Sequence, residues 1–458
     1  MAKKRYVQLG VGHRSLIYSE ALVERFRDHC DLVALCDTNA GRLRLRAEWA
    51  RARGVAVKTF PADQFERMIA EAKPDVVIVT TVDATHDQYI CRALELGCDV
   101  ITEKPMTTDE QKCQRILDTQ KKTGRQCTVA FNYRYALPRT QVKELLMAGV
   151  IGNVVSADFH WLLDTRHGAD YFRRWHRNKH NSGGLLVHKA THHFDLMNWW
   201  FSSVPETVYA LGARNFYRPA TAARYGLIKR GERCHGCPES GKCPFYLDLA
   251  AYPALTSLYL ENEQYDGYHR DQCVFSPDID IEDTMNVSVR YRSGATLSYS
   301  LHAFMPWEGY LIAFNGTKGR LEHLCKETIY ISGDGSVPGA LIFEGTQIKI
   351  FPHFQAAYEV PPQQSRGGHG GADPIMLNDL FGASPPPDKF KRAADQRAGA
   401  WSILTGVAAN HSMAQGQPIR IDSLVRGLEE PDYPPMPSAQ EPIDPLPLKR
   451  STAAPVGK

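Results

Sequence analysis

The chain of 458 residues has no long apolar run and no strong excess of charge of one sign. No stretch approaches the roughly 18 apolar residues that a membrane-spanning helix needs. The first residues, MAKKRYVQLGVG, begin basic, but their apolar run is short and enters a glycine turn, which indicates a first strand and not a targeting segment. A formal net charge of +3 gives no electrostatic case for nucleic acid. We therefore expect a cytoplasmic protein that binds neither membranes nor nucleic acid.

Cysteine is scattered along most of the chain, and no internal repeat is visible. Seven of the eleven cysteines stand alone in the sequence: Cys30, Cys36, Cys91, Cys98, Cys113, Cys127 and Cys325. Such scatter is typical of a reducing compartment, where cysteine packs as a small apolar residue. With 43% hydrophobic and 23% charged residues, the chain has the composition of a globular protein with ample core.

The first 130 residues alternate between short β-branched runs and helical patterns. DLVALCD (31–37) and DVVIVTT (75–81) are predicted strands, and ADQFERMIAEA (62–72) is a predicted amphipathic helix. Continuous apolar strands separated by helices are typical of a parallel sheet that is covered on both faces. We predict a doubly wound α/β domain over residues 1–130.

Beyond residue 138 the pattern changes. In DTMNVSVRYRSGATLSYSLHAF (283–304), apolar and polar residues alternate on either side of a glycine turn, which predicts antiparallel strands. We predict a second, α+β domain over residues 131–425, with a largely antiparallel sheet and a cysteine-rich insert at 215–275. Residues 426–458 are rich in proline and are predicted to form an extended tail.

A glycine turn follows the first predicted strand. The sequence QLGVGHRS places Gly10 and Gly12 there, with Ser15 at the third glycine position of G-x-G-x-x-G. Two glycines let the backbone approach a pyrophosphate, and Asp37 at the end of the second strand would bind ribose hydroxyls and repel a 2′-phosphate. This pattern predicts NAD binding in preference to NADP. A purely structural turn and a helix-capping role for Asp37 are the alternatives.

Four longer segments resemble one family. TTVDATHDQYICRALELGCDVITEKP (80–105), AFNYRY (130–135), GGLLVHKATHHFD (183–195) and WSILTGVAANHSMAQGQPIRI (401–421) are similar to the motifs of the Gfo/Idh/MocA oxidoreductases. The resemblance spans about residues 4–422. It implies a Rossmann domain, a mixed α/β domain with an open sheet, and nicotinamide-dependent redox chemistry on sugars or cyclitols.

The resemblance also implies site residues by position. Lys104 is expected at the edge of the active site, followed by Pro105, which is often cis in the family. The residues predicted to line the dinucleotide site are Gly10, Gly12, His13, Arg14, Asp37, Thr81, His86, Glu103, Lys104 and Asn132.

The stretch SGGLLVHKATHHFDLMNWW (182–200) carries unusually many titratable side chains among apolar residues. On one helix, His188 and His192 would be four residues apart and share a face. Oxidation of an alcohol needs a base for the hydroxyl proton, and an imidazole with a pKa near 6.5 suits that task. By family position His192 is the predicted general acid–base, and Lys104 polarises the reacting oxygen. Two structural core histidines are the alternative.

One position departs from the family. The usual motif, Gly-Gly-x-x-x-Asp-x-x-x-His-x-x-Asp, has aspartate where this chain has His188. An imidazole can donate or shuttle a proton as well as accept a hydrogen bond, so we include His188 among the catalytic residues. A branch resembling the NAD-dependent glycosidases also has histidine here. Transient oxidation, elimination, hydration and reduction of a glycoside is therefore an alternative to net dehydrogenation. A non-enzymatic sugar- or nucleotide-sensing protein is a third possibility.

The loop DTRHGADYFRRWHRNKHNSGG (164–184) is rich in basic residues. Trp175 could stack on a sugar ring, and arginine side chains could bind an acidic group. We predict a sugar or glycoside substrate with an anionic group, although a solvated basic loop would have the same composition. The predicted substrate-binding residues are Tyr133, Arg174, Trp175, His176, His188 and His193.

The remaining cysteines cluster in the insert. Cys234, Cys237 and Cys243 lie close together in CHGCPESGKC, and Cys273 follows later. A Cys-x-x-Cys pair with two further thiolates is typical of a tetrahedral metal site. Because the insert lacks clear periodicity, a metal could supply its order. We predict structural zinc. An iron–sulfur cluster remains open, as do reduced cysteines or a disulfide.

The predicted strands at 283–302 suggest an oligomer. Met285, Val287, Val289 and Tyr291 fall on one face of them. That face is too apolar to remain exposed to water, and the family's open sheet usually pairs with another subunit. We predict a homodimer or homotetramer.

Overall fold

The computed structural model describes residues 3–329, 345–363 and 368–441. Its first sheet has six parallel strands in the order β3-β2-β1-β4-β5-β6. These strands are β1 Lys4–Leu9, β2 Cys30–Asp37, β3 Lys58–Pro61, β4 Val76–Val79, β5 Asp99–Thr102 and β6 Cys127–Val129. The strand order reverses beside β1, which is where doubly wound sheets bind ligands. The predicted Rossmann-type sheet is confirmed.

Five α-helices connect these strands: α1 Leu16–Glu20, α2 Ala40–Arg51, α3 Phe65–Ala72, α4 His86–Glu95 and α5 Glu110–Thr123. Beyond α1 the chain continues as a π-helical turn, Ala21–Arg25. The sequence analysis did not predict α2 or β3. In α2 the stretch Arg42–Arg46 alternates arginine and leucine, so it lacks the 3.6-residue apolar period that marks an amphipathic helix.

The second sheet has nine strands in the order β14-β13-β12-β11-β7-β10-β9-β8-β15. Their bounds are β7 Val154–Asp164, β8 Pro205–Ala213, β9 Thr284–Tyr291, β10 Thr296–Met305, β11 Trp307–Gly316, β12 Gly319–Ile329, β13 Gln347–Pro352, β14 Tyr358–Glu359 and β15 Ile419–Arg420. All neighbours pair antiparallel except β7 with β10. The expected mixed, largely antiparallel sheet is confirmed.

In the described part of the second domain, ten α-helices accompany this sheet: α6 Leu137–Met147, α7 Thr165–Arg173, α8 Lys179–Ser182, α9 Leu185–His188, α10 Thr191–Phe201, α11 Pro219–Arg224, α12 Pro253–Leu258, α13 Glu263–Asp266, α14 Gly368–Phe381 and α15 Gln396–Gln415. Every residue of α10 is buried, and Phe194 packs on Tyr299 of β10 with 5.0 Å between ring centroids. A Cβ on Gly406 of α15 would lie 2.2 Å from the Leu186 carbonyl oxygen. This close contact fixes α9 against α15.

The apolar face of β9 does not form a surface. Met285, Val287, Val289 and Tyr291 are at most 2% exposed, because they face the chain's own core. The reason given above for an oligomer is therefore wrong. Several large apolar side chains of the sheet reach solvent: Val155, Tyr209, Leu211, Leu311, Phe351 and Tyr358. Leu211 (60% exposed) and Leu311 (42% exposed) lie on the face opposite to that of Met285.

The insert is ordered by aromatic packing. Phe245 contacts Tyr217 and Phe275, with ring centroids 5.8 Å and 5.4 Å apart. The sequence analysis missed this cluster because its members are far apart in the chain and have no period.

The four clustered cysteines line one small cavity in the insert. However, within the described ranges no group of three or more His, Cys, Asp or Glu side chains is placed to hold a metal ion. The Cys234 sulfur accepts the Leu247 N–H at 3.4 Å and the Cys237 sulfur accepts the Gly231 N–H at 3.3 Å. Burial raises the pKa of Cys234 to about 11, which keeps this thiol neutral. The zinc and iron–sulfur predictions for Cys234, Cys237, Cys243 and Cys273 are thus not supported.

The described part of the tail lies extended against the second domain. The Trp401 indole N–H donates to the Glu429 carbonyl oxygen at 2.9 Å, and the Ser202 hydroxyl donates to the Pro434 carbonyl oxygen at 2.5 Å. Residues 442–458 of the predicted tail lie outside the described residues. Among the helices of the described ranges, none is long and apolar enough to cross a bilayer.

Candidate active site

The glycine turn after β1 fits a dinucleotide. Gly10 has φ +82°, and a Cβ at this position would lie 2.6 Å from the Thr80 carbonyl oxygen, so a side chain cannot be accommodated. Asp37 accepts the N–H groups of Val11 at 2.6 Å and Asn39 at 2.8 Å, which ties the turn to the end of β2. The bare loop and the acid beside it are the features that receive a pyrophosphate and a ribose diol.

His86 joins two other predicted residues. Its Nδ1 lies 2.9 Å from the Pro105 carbonyl oxygen and its Nε2 lies 3.2 Å from that of Thr81. The ring therefore links the end of β4 to the turn after β5, where the Lys104–Pro105 bond is cis. His86 and Thr81 position this turn.

A polar network lies beneath the glycine turn. Glu103 accepts the Arg14 Nε–H at 2.6 Å and the Tyr18 hydroxyl at 2.8 Å. Burial would raise the pKa of Glu103, but Arg14 and Lys104 outweigh it and hold the pKa below its usual value. The Asn132 amide donates to Asp373 at 2.7 Å, and Arg14 lies 3.5 Å from the same carboxylate. Asp373, which the sequence analysis missed, completes the network.

Lys104 lies at the centre of the site. Its Nζ donates to the His188 carbonyl oxygen at 3.4 Å. Burial lowers the pKa of Lys104 to about 8, although Asp83 and Glu103 oppose this effect. The amine can therefore gain or lose its proton near neutral pH.

His188 is paired with Asp83. Its Nδ1 lies 2.5 Å from the Asp83 carboxylate. Burial raises the pKa of Asp83 and lowers that of His188. The sequence analysis missed Asp83, although an acid directly after β4 was a visible signal. The second domain thus has histidine where the family usually has aspartate, and the first domain supplies the carboxylate.

The predicted single helix is broken between its two key histidines. α9 ends at His188 and α10 begins at Thr191, so the shared-face argument is wrong. His192 stacks on the Tyr133 ring with 4.1 Å between centroids. His188 instead packs edge-on to His176 at 4.2 Å. The imidazoles are placed by tertiary packing and not by helical spacing.

Lys189 and His193, which follow His188 and His192 in the sequence, make different contacts from those histidines. The Lys189 ammonium donates to the Tyr133 hydroxyl at 3.2 Å and lies 3.8 Å from Glu308. His193 is fully buried, and its Nδ1 lies 2.7 Å from the Tyr299 hydroxyl. The structure therefore places His193 in the core, in contrast to its predicted contact with substrate.

The middle of the basic loop is packed against the protein, although Arg166, His167 and His180 are exposed. His176 is 3% exposed, and Trp175 stacks on it at 3.6 Å. Arg174 lies 4.0 Å from Asp170 with its side chain 25% exposed. The alternative of a solvated loop is therefore wrong, and these side chains help to form the wall next to His188.

A cavity of about 1250 Å³ opens between α7, β11 and the insert. His167 lies at this cavity, and its Nδ1 is 2.7 Å from the Glu308 carboxylate. The Tyr171 hydroxyl lies 3.0 Å from the other ring nitrogen of His167, and the Tyr171 ring packs on His188 at 5.5 Å. Sequence reasoning missed His167, Tyr171 and Glu308, because no local pattern relates positions 141 residues apart.

Comparison with family models agrees with this geometry. Residues 4–131 match the NAD-binding Rossmann fold of an oxidoreductase family, and residues 143–421 match its C-terminal α/β domain. The chain belongs to the Gfo/Idh/MocA family. Within it, the chain is 38% identical over 432 residues to the putative oxidoreductase YteT of Bacillus subtilis, covering 92% of this chain and 98% of the relative.

Two further Gfo/Idh/MocA comparisons concern parts of the chain or its fold. D-glucoside 3-dehydrogenase of Escherichia coli is 31% identical over 128 residues, which are 28% of this chain and 35% of the relative. The WlbA dehydrogenase of Bordetella pertussis, solved with NADH and UDP-GlcNAcA, is 19% identical with a TM-score of 0.60. That match covers 91% of this chain and 98% of the other. The chain thus has the family's fold and relatives that dehydrogenate sugars.

Proposed function

We propose that the protein is an NAD-dependent oxidoreductase that acts on a hydroxyl-bearing carbon of a sugar or glycoside. The observation that carries this proposal is the contact of Lys104 with the Asp83–His188 pair, next to Glu103, which accepts a hydrogen bond from Arg14 of the glycine loop. Gly10, Gly12 and Asp37 would hold the nucleotide. Bound NAD would supply the hydride acceptor.

The protein side chains handle the proton and the charge. His192 takes the hydroxyl proton of the substrate, as its family position implies. The Lys104 ammonium donates a hydrogen bond to the same oxygen and stabilises the negative charge that develops there. Asp83 holds the proton of His188 on Nδ1, which leaves Nε2 as a hydrogen-bond acceptor toward the substrate.

The cavity beside His167 is a candidate place for the part of the substrate that lies away from Lys104. Arg166 and Arg270 lie among its lining residues and could bind an anionic group of a glycoside.

A second candidate is the NAD-dependent glycosidase. It is favoured by His188, which with Asp83 can donate and accept a proton, and by the nearby His167–Glu308 pair. Elimination of an aglycone needs both a base and an acid. Here the sugar is oxidised, loses its aglycone, adds water and is reduced again, so that NAD shows no net change.

One assay separates these functions. Pure protein is incubated with NAD and a panel of free sugars and p-nitrophenyl glycosides, including uronic acids, with Lys104→Ala as the inactive control. NADH in proportion to substrate supports the dehydrogenase. Nitrophenol without net NADH supports the glycosidase. Neither product, together with tight NAD binding, would contradict both enzymatic proposals and favour a sensor.

A further inference from the structure

The insert packs directly on the dinucleotide loop. The Tyr259 hydroxyl, which follows α12, accepts the backbone N–H of His13 at 3.0 Å. A Cβ on Gly12 would lie 3.6 Å from the same oxygen. The N–H of His13 belongs to the loop that would receive a pyrophosphate. The insert therefore reaches the cofactor-binding surface of the first domain.

A second contact lies on the ribose side. The Asn39 amide donates to the Asn262 carbonyl oxygen at 2.9 Å. A Cβ on Gly41 would lie only 1.7 Å from the Asn262 amide oxygen and 2.8 Å from the Tyr265 ring. Asn262 is itself held, since its amide donates to the Ser257 carbonyl oxygen at 2.6 Å. The two surfaces are close-packed, and glycine at position 41 makes the contact possible.

The third contact is ionic. Arg42 lies beside the ribose-binding acid, with 3.4 Å between its Nη2 and Asp37 Oδ1. The same nitrogen donates to Asp266 of α13 in the insert. An arginine near this acid is the usual means of accommodating a 2′-phosphate. Asp266 occupies the guanidinium and adds a negative charge that would repel such a phosphate.

The contacts of Tyr259 also extend toward the substrate side. Arg270 lies over its ring at 4.9 Å, and the Arg270 guanidinium is 3.4 Å from Asp170 of α7. The insert is thus in direct contact with α7, which leads into the segment next to His188.

We propose that Tyr259, Asn262, Tyr265 and Asp266 form an outer wall of the dinucleotide site and that Asp266 favours NAD over NADP by holding Arg42. This inference rests on the proposed use of NAD. The wall has to move before the cofactor can enter or leave. Asp266 acts as a specificity-determining residue through Arg42.

The specificity part is tested by calorimetric titration of the full chain with NAD and NADP. Asp266→Asn should raise the affinity for NADP relative to NAD by about tenfold. Adding Arg42→Ala should abolish that gain, because the freed guanidinium is its source. The matched control is Glu261→Gln, which removes the same charge from an exposed position in the same segment and should keep the wild-type ratio.

The wall is tested by stopped-flow fluorescence of NADH. Tyr259→Ala changes the insert and removes its hydrogen bond with the His13 N–H. Gly41→Ala changes α2 and places a methyl group where Asn262 of the insert now packs. Both variants should accelerate NADH association and dissociation together by about tenfold. Two independent variants guard against misfolding of either one.

The outcomes are distinct. A wild-type protein that binds no dinucleotide overturns the NAD dependence itself. The role of Asp266 is overturned if Asp266→Asn binds NAD but keeps the wild-type ratio of NADP affinity to NAD affinity. It is also overturned if the gain in NADP affinity persists after Arg42 is replaced by alanine. Exchange rates that stay at the wild-type value in both Tyr259→Ala and Gly41→Ala overturn the wall.

Discussion

At the scale of single residues, the carboxylate of the site comes from a different position in the chain than is usual in the family. The family motif carries aspartate on the segment that here ends in His188, and Asp83 provides the acid from the other domain at 2.5 Å. Asp83 and His188 are buried and Lys104 is half-buried beside them, so the charge of each depends on the others. Their shared environment makes the chemistry sensitive to pH.

The first prediction concerns this pH dependence. Because the pKa of Lys104 is lowered to about 8, its ammonium loses the proton as the pH rises through that value, and the neutral amine no longer offers the positive charge that stabilises the developing charge on the substrate oxygen. We expect kcat/KM to fall on the alkaline side of pH 8. Lys104→Arg stays cationic at every pH of the assay, so its residual activity should lack this decline. The same alkaline decline in both proteins would exclude Lys104 as its source.

The second prediction concerns His192. Replacing this general base with alanine should lower turnover by about 10²- to 10⁴-fold. NAD affinity measured by calorimetry should stay close to wild type, because the ring contacts Tyr133 and not the glycine loop. His180→Ala, at an exposed position, is the control. A His192→Ala enzyme that keeps more than about a tenth of wild-type turnover would remove this residue from the proton transfer.

At the scale of elements, one buried ion pair joins α10 to the turn after β6. Arg134 donates from Nε to Asp195 at 2.8 Å and from Nη2 at 2.6 Å, and both side chains are almost fully buried. Burial raises the pKa of Asp195 to about 6 in spite of Arg134. The bidentate pair fixes the N-terminal half of α10, which carries His192.

The third prediction follows from this pair. Arg134→Ala leaves the Asp195 carboxylate buried without its cation and should lower the free energy of unfolding by about 3–5 kcal/mol. Replacing both partners with apolar residues, Arg134→Met with Asp195→Leu, should cost less than the single change. Urea denaturation measures both. A loss below about 1 kcal/mol for Arg134→Ala would show that the pair is not needed for stability.

The elements differ in how well the sequence predicts them. The β1 turn and Asp37 follow from local patterns, and the Glu103–Pro105 turn follows from the family resemblance, so both the fold and the nucleotide edge could be predicted. The break between α9 and α10 could not, because packing against α15 at Gly406 decides it. The pairing of His188 with Asp83 and of His167 with Glu308 joins positions 105 and 141 residues apart. A single sequence has no signal for such contacts.

At the scale of the whole molecule, the insert is the feature that ties the two domains together. It contacts the dinucleotide loop through Tyr259 and lies against α7 through Arg270. The insert was expected to need a metal because its sequence has no regular hydrophobic pattern. Its order comes instead from contacts between residues that are far apart in the sequence. The contacts that hold the insert therefore also connect the dinucleotide loop with α7.

The last prediction is that two chains associate through the outer face of the nine-stranded sheet. Leu211 and Leu311 lie in one cross-strand row of this face, through Asn286, Ser300 and His160. With Tyr209, which is 36% exposed on the same face as Leu211, they give this face apolar surface that an interface between copies would cover.

Light scattering should therefore give at least twice the chain mass of 51.4 kDa, which is about 103 kDa for a dimer. Leu211→Arg with Leu311→Arg should shift the protein to the monomer mass, since buried like charges in a symmetric interface repel. Phe354→Arg, which changes an 87% exposed residue beyond the end of β13, is the control and should leave the mass unchanged. A wild-type mass of about 51.4 kDa at micromolar concentration would show that the chains do not associate, and would contradict the interface.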